Sequence, residues 1–181
     1  SKGHAEVVSM LLAKQGVKVN QAMNDGCTPL CIASSKGHAE VVSMLLTKQG
    51  VCVNQAEDGG WTPLIIASFE GHSEVVSMLL AKQDVDVNQA TNDGCTPLYV
   101  ASEEGHSEVV SILLAKQGVD VNQARDDGCT PLFIASQIGH SEVVSMLLAK
   151  QGVNVNKATN NGVTPLYIAS EKGHAEVVSM L

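Results

Sequence analysis

The chain has 181 residues, of which 44% are hydrophobic and 17% charged, and its formal net charge is −8. This composition is typical of a folded globular protein rather than a disordered one. No apolar run approaches the ~20 residues of a membrane span, and an acidic surface would repel nucleic-acid phosphates, so we expect neither a membrane nor a nucleic acid as partner.

An internal repeat organises the whole sequence. The pattern Gly-Xaa-Thr-Pro-Leu recurs every 34 residues, and a Gly-His pair recurs with the same spacing. Such a period predicts a single array of stacked units. The array consists of a partial repeat at 1–25, full repeats at 26–59, 60–93, 94–127 and 128–161, and a partial repeat at 162–181.

Each copy predicts the same elements in the same order, as in repeat 94–127. Thr96 followed by Pro97 is a typical helix start, because threonine caps the helix and proline suits its first turn. Gly105 is expected to end this short first helix as its C-cap. A second helix then begins near Glu108, whose negative charge favours the helix N-terminus, and it carries a wide apolar face.

A non-helical arm follows the second helix. Residues 119–122 alternate in polarity and predict an extended arm, and Asp127-Gly128 is a favoured tight-turn pair. Neither helix can bury its apolar face alone, so the copies must stack side by side. The sequence therefore predicts an all-α solenoid with short hairpin arms.

The segments TPLYVAS, GHSEVVSILL and GVDVN of repeat 94–127 resemble those of the ankyrin repeat, and the resemblance covers the whole chain. It implies two antiparallel helices with a projecting hairpin in each unit. It also implies a non-enzymatic role in binding another protein through the hairpin tips and the concave face of the first helices.

Two features depart from the ankyrin pattern. The period is 34 rather than 33, and the additional residue lies where the second helix ends, so we expect a longer helix or a looser turn there. The histidine of the Thr-Pro-Leu-His motif is also replaced in every copy, and we expect packing between neighbouring units in its place. The replaced-histidine column holds Cys31, Ile65, Tyr99, Phe133 and Tyr167.

At one corner, Asp84 stands where the other copies have glycine after the second helix. Aspartate tolerates a left-handed backbone less well than glycine and carries the wrong charge for a helix C-terminus. We therefore expect a slightly weaker corner at Asp84.

Repetition argues against an active site or a metal site. Units about 10 Å apart cannot bring a column of histidines to within about 2.3 Å of one ion, so a structural role at the inter-helix turn is favoured. The serines also repeat with the scaffold, whereas a nucleophile needs a unique constellation. We predict no enzyme, no cofactor and no metal. The histidine column consists of His4, His38, His72, His106, His140 and His174.

The cysteines favour an intracellular location. Cys27, Cys95 and Cys129 share one column, in which a spacing of about 10 Å between units exceeds the limit of about 7 Å for a disulfide. Cys27 and Cys31 could approach each other across a helix turn, but the total of five is odd. Free thiols fit a reducing compartment, so we predict an intracellular, cytoplasmic protein.

The copies differ in only a few columns, and every aromatic residue lies in one of them. The resemblance to ankyrin repeats implies that Trp61 and Phe69 face the concave surface, where large apolar side chains are typical interface anchors. Drift between copies and burial against the next hairpin are the alternatives. Acidic neighbours favour a partner with some positive charge. The predicted contact residues are Trp61, Phe69, Glu70, Glu103, Glu104, Gln137 and Ile138 on the first-helix face, and Met23, Asn24, Glu57 and Arg125 at the hairpin tips.

Two further hypotheses compete with a protein-binding scaffold. The near-identity of the copies also fits a structural spacer in a longer ankyrin array within a larger multidomain protein. An engineered array is the third hypothesis, which the free cysteines and the varied columns disfavour. The terminal copies have no polar caps, so we expect their apolar faces to fray or to stack end-to-end on another molecule.

Overall fold

The structure is a computed structural model that describes the backbone of residues 2–181 and the side chains of residues 5–181. Within this range there are eleven helices and no strands, which confirms the expected all-α fold. The first helices of the units are α2 (Pro29–Ser35), α4 (Pro63–Phe69), α6 (Pro97–Glu104), α8 (Pro131–Ile138) and α10 (Pro165–Lys172). The second helices are α1 (Lys2–Leu12), α3 (Ala39–Leu46), α5 (Ser73–Leu80), α7 (Ser107–Ala115), α9 (Ser141–Ala149) and α11 (Ala175–Met180).

Local chemistry sets the bounds of the first helices. The hydroxyl of Thr96 accepts a hydrogen bond from the Tyr99 amide at 3.1 Å, and Pro97 is the first helical residue. Gly105 ends the helix as a left-handed C-cap with φ of +74°. The predicted helix start and stop are therefore confirmed.

The helices stack in two rows. Each first helix packs against the next first helix and against its own second helix, and each second helix packs against the next second helix. The main core lies between the rows, where Leu98 and Val110 are 1% and 0% exposed. This arrangement of nearest-neighbour contacts is that of a solenoid.

The histidine column joins neighbouring units. The Nε2 atom of His106 lies 2.9 Å from the carbonyl oxygen of Phe69 in the preceding unit. The imidazole also packs against Gly71, where a Cβ atom would come within 2.8 Å of the ring. Gly37, Gly71, Gly105 and Gly139 all have a positive φ and leave room for the histidine of the following unit. The same contact recurs at His72, His140 and His174, whereas the side chain of His4 lies outside the described residues.

Two further polar columns join the units, and neither was identified from the sequence. The amide of Asn122 reaches the following unit twice, because its Nδ2 donates to the Gly152 carbonyl at 2.7 Å and its Oδ1 accepts from the Asn154 amide at 2.8 Å. The Nζ of Lys116 donates to the carbonyl of Leu80 at 2.6 Å. A lysine at this position satisfies the free carbonyls at the end of the preceding second helix.

The hairpin tips differ in detail from the expected turn. The amide of Gly128 donates to the Arg125 carbonyl at 2.8 Å, and the amide of Arg125 donates to the Cys129 carbonyl at 2.9 Å. Gly128 has φ of +87°, but Asp127 does not have a positive φ. The turn therefore lacks the two left-handed residues of a type I′ turn and matches a type I turn followed by a left-handed glycine.

The backbone at Asp84 is not the left-handed one that the expectation of a weaker corner assumes. The glycines at the equivalent positions are left-handed, whereas Asp84 does not have a positive φ. Its carbonyl oxygen still accepts a hydrogen bond from Asn54 Nδ2 at 2.6 Å, as the glycine carbonyls do from their asparagines. The chain therefore makes the same corner without a left-handed residue. The second helices end before this corner, as α5 does at Leu80 and α7 at Ala115, which lies three residues before Gly118.

The replaced-histidine column packs between units, as expected. Ile65, Tyr99 and Phe133 are 0%, 0% and 5% exposed and belong to a second apolar cluster on the hairpin side of the first helices. Tyr167 is 60% exposed. In the other repeats this column is covered by the unit that follows, and the described residues include no unit after that of Tyr167.

Candidate functional site

Trp61 and Phe69 form one aromatic surface beside α4. Trp61 directly precedes the N-cap Thr62, and Phe69 is the last residue of the helix. Their rings meet edge to face, with centroids 5.5 Å apart and an interplanar angle of 87°. Trp61 is half-buried and Phe69 is 36% exposed. An edge-to-face contact stabilises such a pair by about 1 kcal/mol, so the two rings hold each other in place.

The aromatic pair lines a groove of about 490 Å³ between α2 and α4. This volume lies within the range of ligand-binding clefts. The groove also includes the apolar side chain of Ile32, which is 48% exposed. We call it the aromatic groove and define it by six of its lining residues, Asp25, Ile32, Glu57, Trp61, Phe69 and Glu70.

Three carboxylates line the aromatic groove. Asp25 Oδ1 accepts the Cys27 amide at 3.0 Å. Glu57 Oε1 accepts the amides of Gly59 and Trp61 at 2.9 and 3.2 Å, which leaves its second oxygen free of these backbone bonds. Glu70, which caps the end of α4, is exposed. No lysine or arginine is among the described lining residues, so the groove is negatively charged.

The equivalent place two repeats further along the chain is filled. There Tyr99 replaces Cys31, Arg125 replaces Glu57, and Glu103 replaces Ser35. The guanidinium of Arg125 lies over the Tyr99 ring, 5.4 Å from its centroid, and pairs with Asp127. At this site the ring of Tyr99 and the carboxylate of Asp127 therefore hold Arg125, an arginine of the chain itself.

In this filled site, Arg125 and Asp127 each stabilise the charged form of the other. The hydrogen bond from Arg125 holds the pKa of Asp127 well below its usual range, and the same bond raises the pKa of Arg125. Burial raises the pKa of Tyr99. Burial also raises the pKa of Glu103, while the positive charge of Arg125 acts in the opposite direction. The acidic side chains are thus partly neutralised by one internal cation.

The predicted contact residues do not all lie together. The structure brings Trp61, Phe69, Glu57 and Glu70 into one groove. Ile138 is 42% exposed at the end of α8, two repeats away. The remaining predicted contact residues lie outside the aromatic groove. Met23, Asn24 and Glu104 are exposed, and Arg125 contacts Tyr99. Glu103 and Gln137 are half-buried, and their backbone carbonyl oxygens contact the imidazoles of His140 and His174.

Sequence reasoning missed three contributors to the aromatic groove. Ile32 lies in a column that is apolar in every copy, so the sequence gives no sign of its 48% exposure. The sequence does not single out Asp25, because aspartate is a common residue at this hairpin position of the repeat. Cys31 is expected to pack between units, but its side chain is much smaller than that of Tyr99 in the same column. This difference in size was the available signal for space beside Cys31.

The described residues give no support to a metal centre. No group of three or more histidine, cysteine or acidic side chains within them is arranged to hold an ion. The histidines from His72 onward instead contact carbonyl oxygens of the preceding unit. Their role in the described part of the chain is to join units.

All five cysteines are free. Burial raises the pKa of Cys95 to about 11 and that of Cys129 to about 12, and nearby aspartates act in the same direction. Cys27 is half-buried and its pKa is also raised, mainly by burial, whereas Cys52 is exposed. Thiols with raised pKa values are poor nucleophiles, so none of these three has the character of a catalytic cysteine.

The comparisons with known proteins agree with this architecture. A family model described as "Ankyrin repeats (3 copies)" matches residues 1–57, 52–125 and 117–181. No curated protein matches the chain significantly. None of the helices in residues 2–181 is long and apolar enough to cross a membrane. The helices, the histidine contacts and the family match lead to one conclusion: the chain belongs to the ankyrin repeat family.

Proposed function

We propose that this chain is a non-enzymatic scaffold that binds another protein through its hairpin tips and first-helix face, with the aromatic groove at the centre of the contact. Ankyrin repeats are generally protein-interaction modules and typically non-enzymatic. The observation that carries the proposal is the partly exposed, edge-to-face pair of Trp61 and Phe69. Paired aromatic rings in an open groove are typical anchors of a protein interface.

The differences between copies support a contact role for this pair. The equivalent positions hold Cys95 and Glu103 in the repeat that follows, and the unit folds in the same way there. The scaffold therefore does not require aromatic residues at these two places. Ile138, exposed on α8, would extend the contact along the same row of first helices.

A selection of random peptides displayed on phage tests the proposal. We expect peptides that bind the whole chain and lose most of their affinity for Phe69→Ala and Trp61→Ala. Tyr167→Ala is the matched control, because Tyr167 is an exposed aromatic residue outside the groove. Circular dichroism must show that each variant stays folded. A selection that yields no peptide, or only peptides that bind the groove variants equally well, would overturn the proposal.

We also propose an intracellular location for this scaffold. The support is the presence of five free thiols, of which two, those of Cys95 and Cys129, are buried members of the apolar cluster around Tyr99. Reduced cysteines persist in reducing compartments. Targeted fractionation of cells that express the chain, probed with an antibody to it, would test this location.

A further inference from the structure

We propose that the aromatic groove binds an arginine side chain presented by an extended segment of the partner protein, with an apolar residue of that segment beside it. The inference rests on the proposed function and specifies the chemistry of the partner. It follows from three features of the groove: its charge, its aromatic surface and the space within it.

The charge of the groove calls for a cation. Asp25, Glu57 and Glu70 line it, and no basic side chain of the described residues does. The backbone amides of Gly59 and Trp61 fix the Glu57 carboxylate through only one of its oxygens. A carboxylate that is held in place but still has a free oxygen is suited to a charge-assisted hydrogen bond.

The aromatic surface favours arginine over lysine. A guanidinium is planar, stacks on aromatic rings and can donate to a carboxylate at the same time. The same chain provides an internal example, since Arg125 lies over Tyr99 and pairs with Asp127. Trp61 and Phe69 with Glu57 offer the same two kinds of contact in the aromatic groove.

The space in the groove results from two differences between repeats. Cys31 lies where Tyr99 fills the equivalent site, and Glu57 lies where Arg125 provides the cation. The groove therefore lacks both the large ring and the internal arginine, and a volume of about 490 Å³ remains. An arginine from outside would occupy the place that Arg125 takes two repeats away.

An apolar neighbour completes the recognition. Ile32 on α2 is 48% exposed, and the half-buried Ile66 on α4 also lines the groove. The methylene stem of the arginine and an adjacent leucine would cover this surface. A flexible segment gains affinity from several such contacts along an open groove, which favours an extended peptide over an isolated side chain.

Trp61 is the only tryptophan, so its fluorescence reports occupation of the groove. The probes are three acetylated and amidated pentapeptides, Gly-Leu-Xaa-Leu-Gly, in which Xaa is arginine, lysine or citrulline. Citrulline keeps the shape of arginine and removes its charge. We expect the arginine peptide to bind at least tenfold more tightly than the citrulline peptide, with lysine between them, and to weaken as salt increases.

Two variants show whether the proposed residues are responsible. Glu57→Gln combined with Glu70→Gln removes two charges while the amide oxygen at residue 57 can still accept the Gly59 and Trp61 amides. We expect the preference for arginine over citrulline to fall below threefold in this variant. Phe69→Ala should weaken all three peptides. Equal affinity of the wild-type chain for the arginine and citrulline peptides, or an arginine preference that survives the double substitution, would overturn the inference.

The peptides obtained by phage selection separate this inference from the proposed function. Groove-dependent peptides rich in arginine next to leucine or another apolar residue would support both. Groove-dependent peptides without basic residues would overturn the arginine inference and leave the scaffold function intact. Absence of groove-dependent peptides would overturn the scaffold function, and the inference with it.

Discussion

Arg125 and Tyr99 make a cation–π contact between the hairpin tip and the first helix of one repeat, with the guanidinium carbon 5.4 Å from the ring centroid. Tyr99 is 0% exposed, and its hydroxyl has no hydrogen-bond partner among the described residues. The ring is thus well placed for packing and for the cation, whereas the hydroxyl is buried without compensation. The cost of an unpaired buried hydroxyl is about 1–3 kcal/mol.

Tyr99→Phe should therefore stabilise the protein. The ring, its packing and its contact with Arg125 remain, and the unpaired hydroxyl is removed. Phe133 occupies the same column in the next repeat and shows that phenylalanine fits there. We expect the free energy of unfolding, measured by urea denaturation, to increase by about 1 kcal/mol.

The matched control for this change is Tyr167→Phe, in the same column but 60% exposed. Its hydroxyl is open to water in either state, so we expect a change within about 0.5 kcal/mol. A loss of stability in Tyr99→Phe would mean that the buried hydroxyl has a partner after all, such as a bound water molecule.

Asn122 offers a second comparison within one column. Its side chain makes two hydrogen bonds to the following unit, so Asn122→Ala leaves the Gly152 carbonyl and the Asn154 amide without these partners. Because both bonds are exposed and water can replace them, we expect the free energy of unfolding to fall by about 0.5–1.5 kcal/mol. Asn156 occupies the same column and makes no such side-chain bond within residues 5–181. Asn156→Ala should therefore change stability by less than about 0.5 kcal/mol, and equal losses in the two variants would contradict the proposed role.

The sequence predicted the features that short-range chemistry determines. Thr96, Pro97 and Gly105 set the bounds of α6 through contacts within a few residues, so their identities were sufficient. The packing of Tyr99 and Phe133 between units was also predicted, because the apolar character of their column indicated it.

The features that the sequence did not reveal join residues 30 or more positions apart. Asn122 bonds Gly152, and Lys116 bonds Leu80, across unit boundaries. The strict recurrence of asparagine and lysine in their columns was the available signal, but it does not say which atoms meet. The aromatic groove is similar: Trp61 and Phe69 were expected on a surface, whereas the space beside them depends on the size of Cys31 in the preceding repeat.

The thiols should differ strongly in reactivity. Cys52 is exposed, whereas the pKa of Cys95 is raised to about 11 and that of Cys129 to about 12 by burial. At pH 8 the thiolate fraction of the two buried cysteines is about 0.001 or less, and access to them is also blocked. With iodoacetamide and peptide mass mapping, we expect Cys52 to be modified at least ~100-fold faster than Cys95 and Cys129. In urea all five should react similarly, and rapid labelling of Cys129 in the folded chain would contradict its burial.

Acid should weaken the Arg125 hairpin. The hydrogen bond from Arg125 lowers the pKa of Asp127, and the amide of Cys129 also donates to it at 3.0 Å. A carboxylate whose pKa is lower in the folded state stabilises that state above the unfolded pKa of about 3.9. This contribution is lost as the pH falls below about 4 toward the folded pKa.

Asp127→Asn should therefore lower the free energy of unfolding by about 0.5–1 kcal/mol at pH 7, a modest value because the pair is partly exposed to solvent. The difference from the wild-type chain should shrink toward zero as the pH falls toward 2. Urea denaturation followed by circular dichroism at several pH values measures both curves. Asp126→Asn is the control, since Asp126 is exposed on the same tip and its carboxylate makes no hydrogen bond among the described residues. Parallel curves for wild type and Asp127→Asn would show that the ion pair does not contribute to acid sensitivity. Any loss of stability at low pH would then come from another carboxylate. Asp93 is the next candidate, because its pKa is also lowered, mainly by the hydrogen bond from the Thr91 hydroxyl.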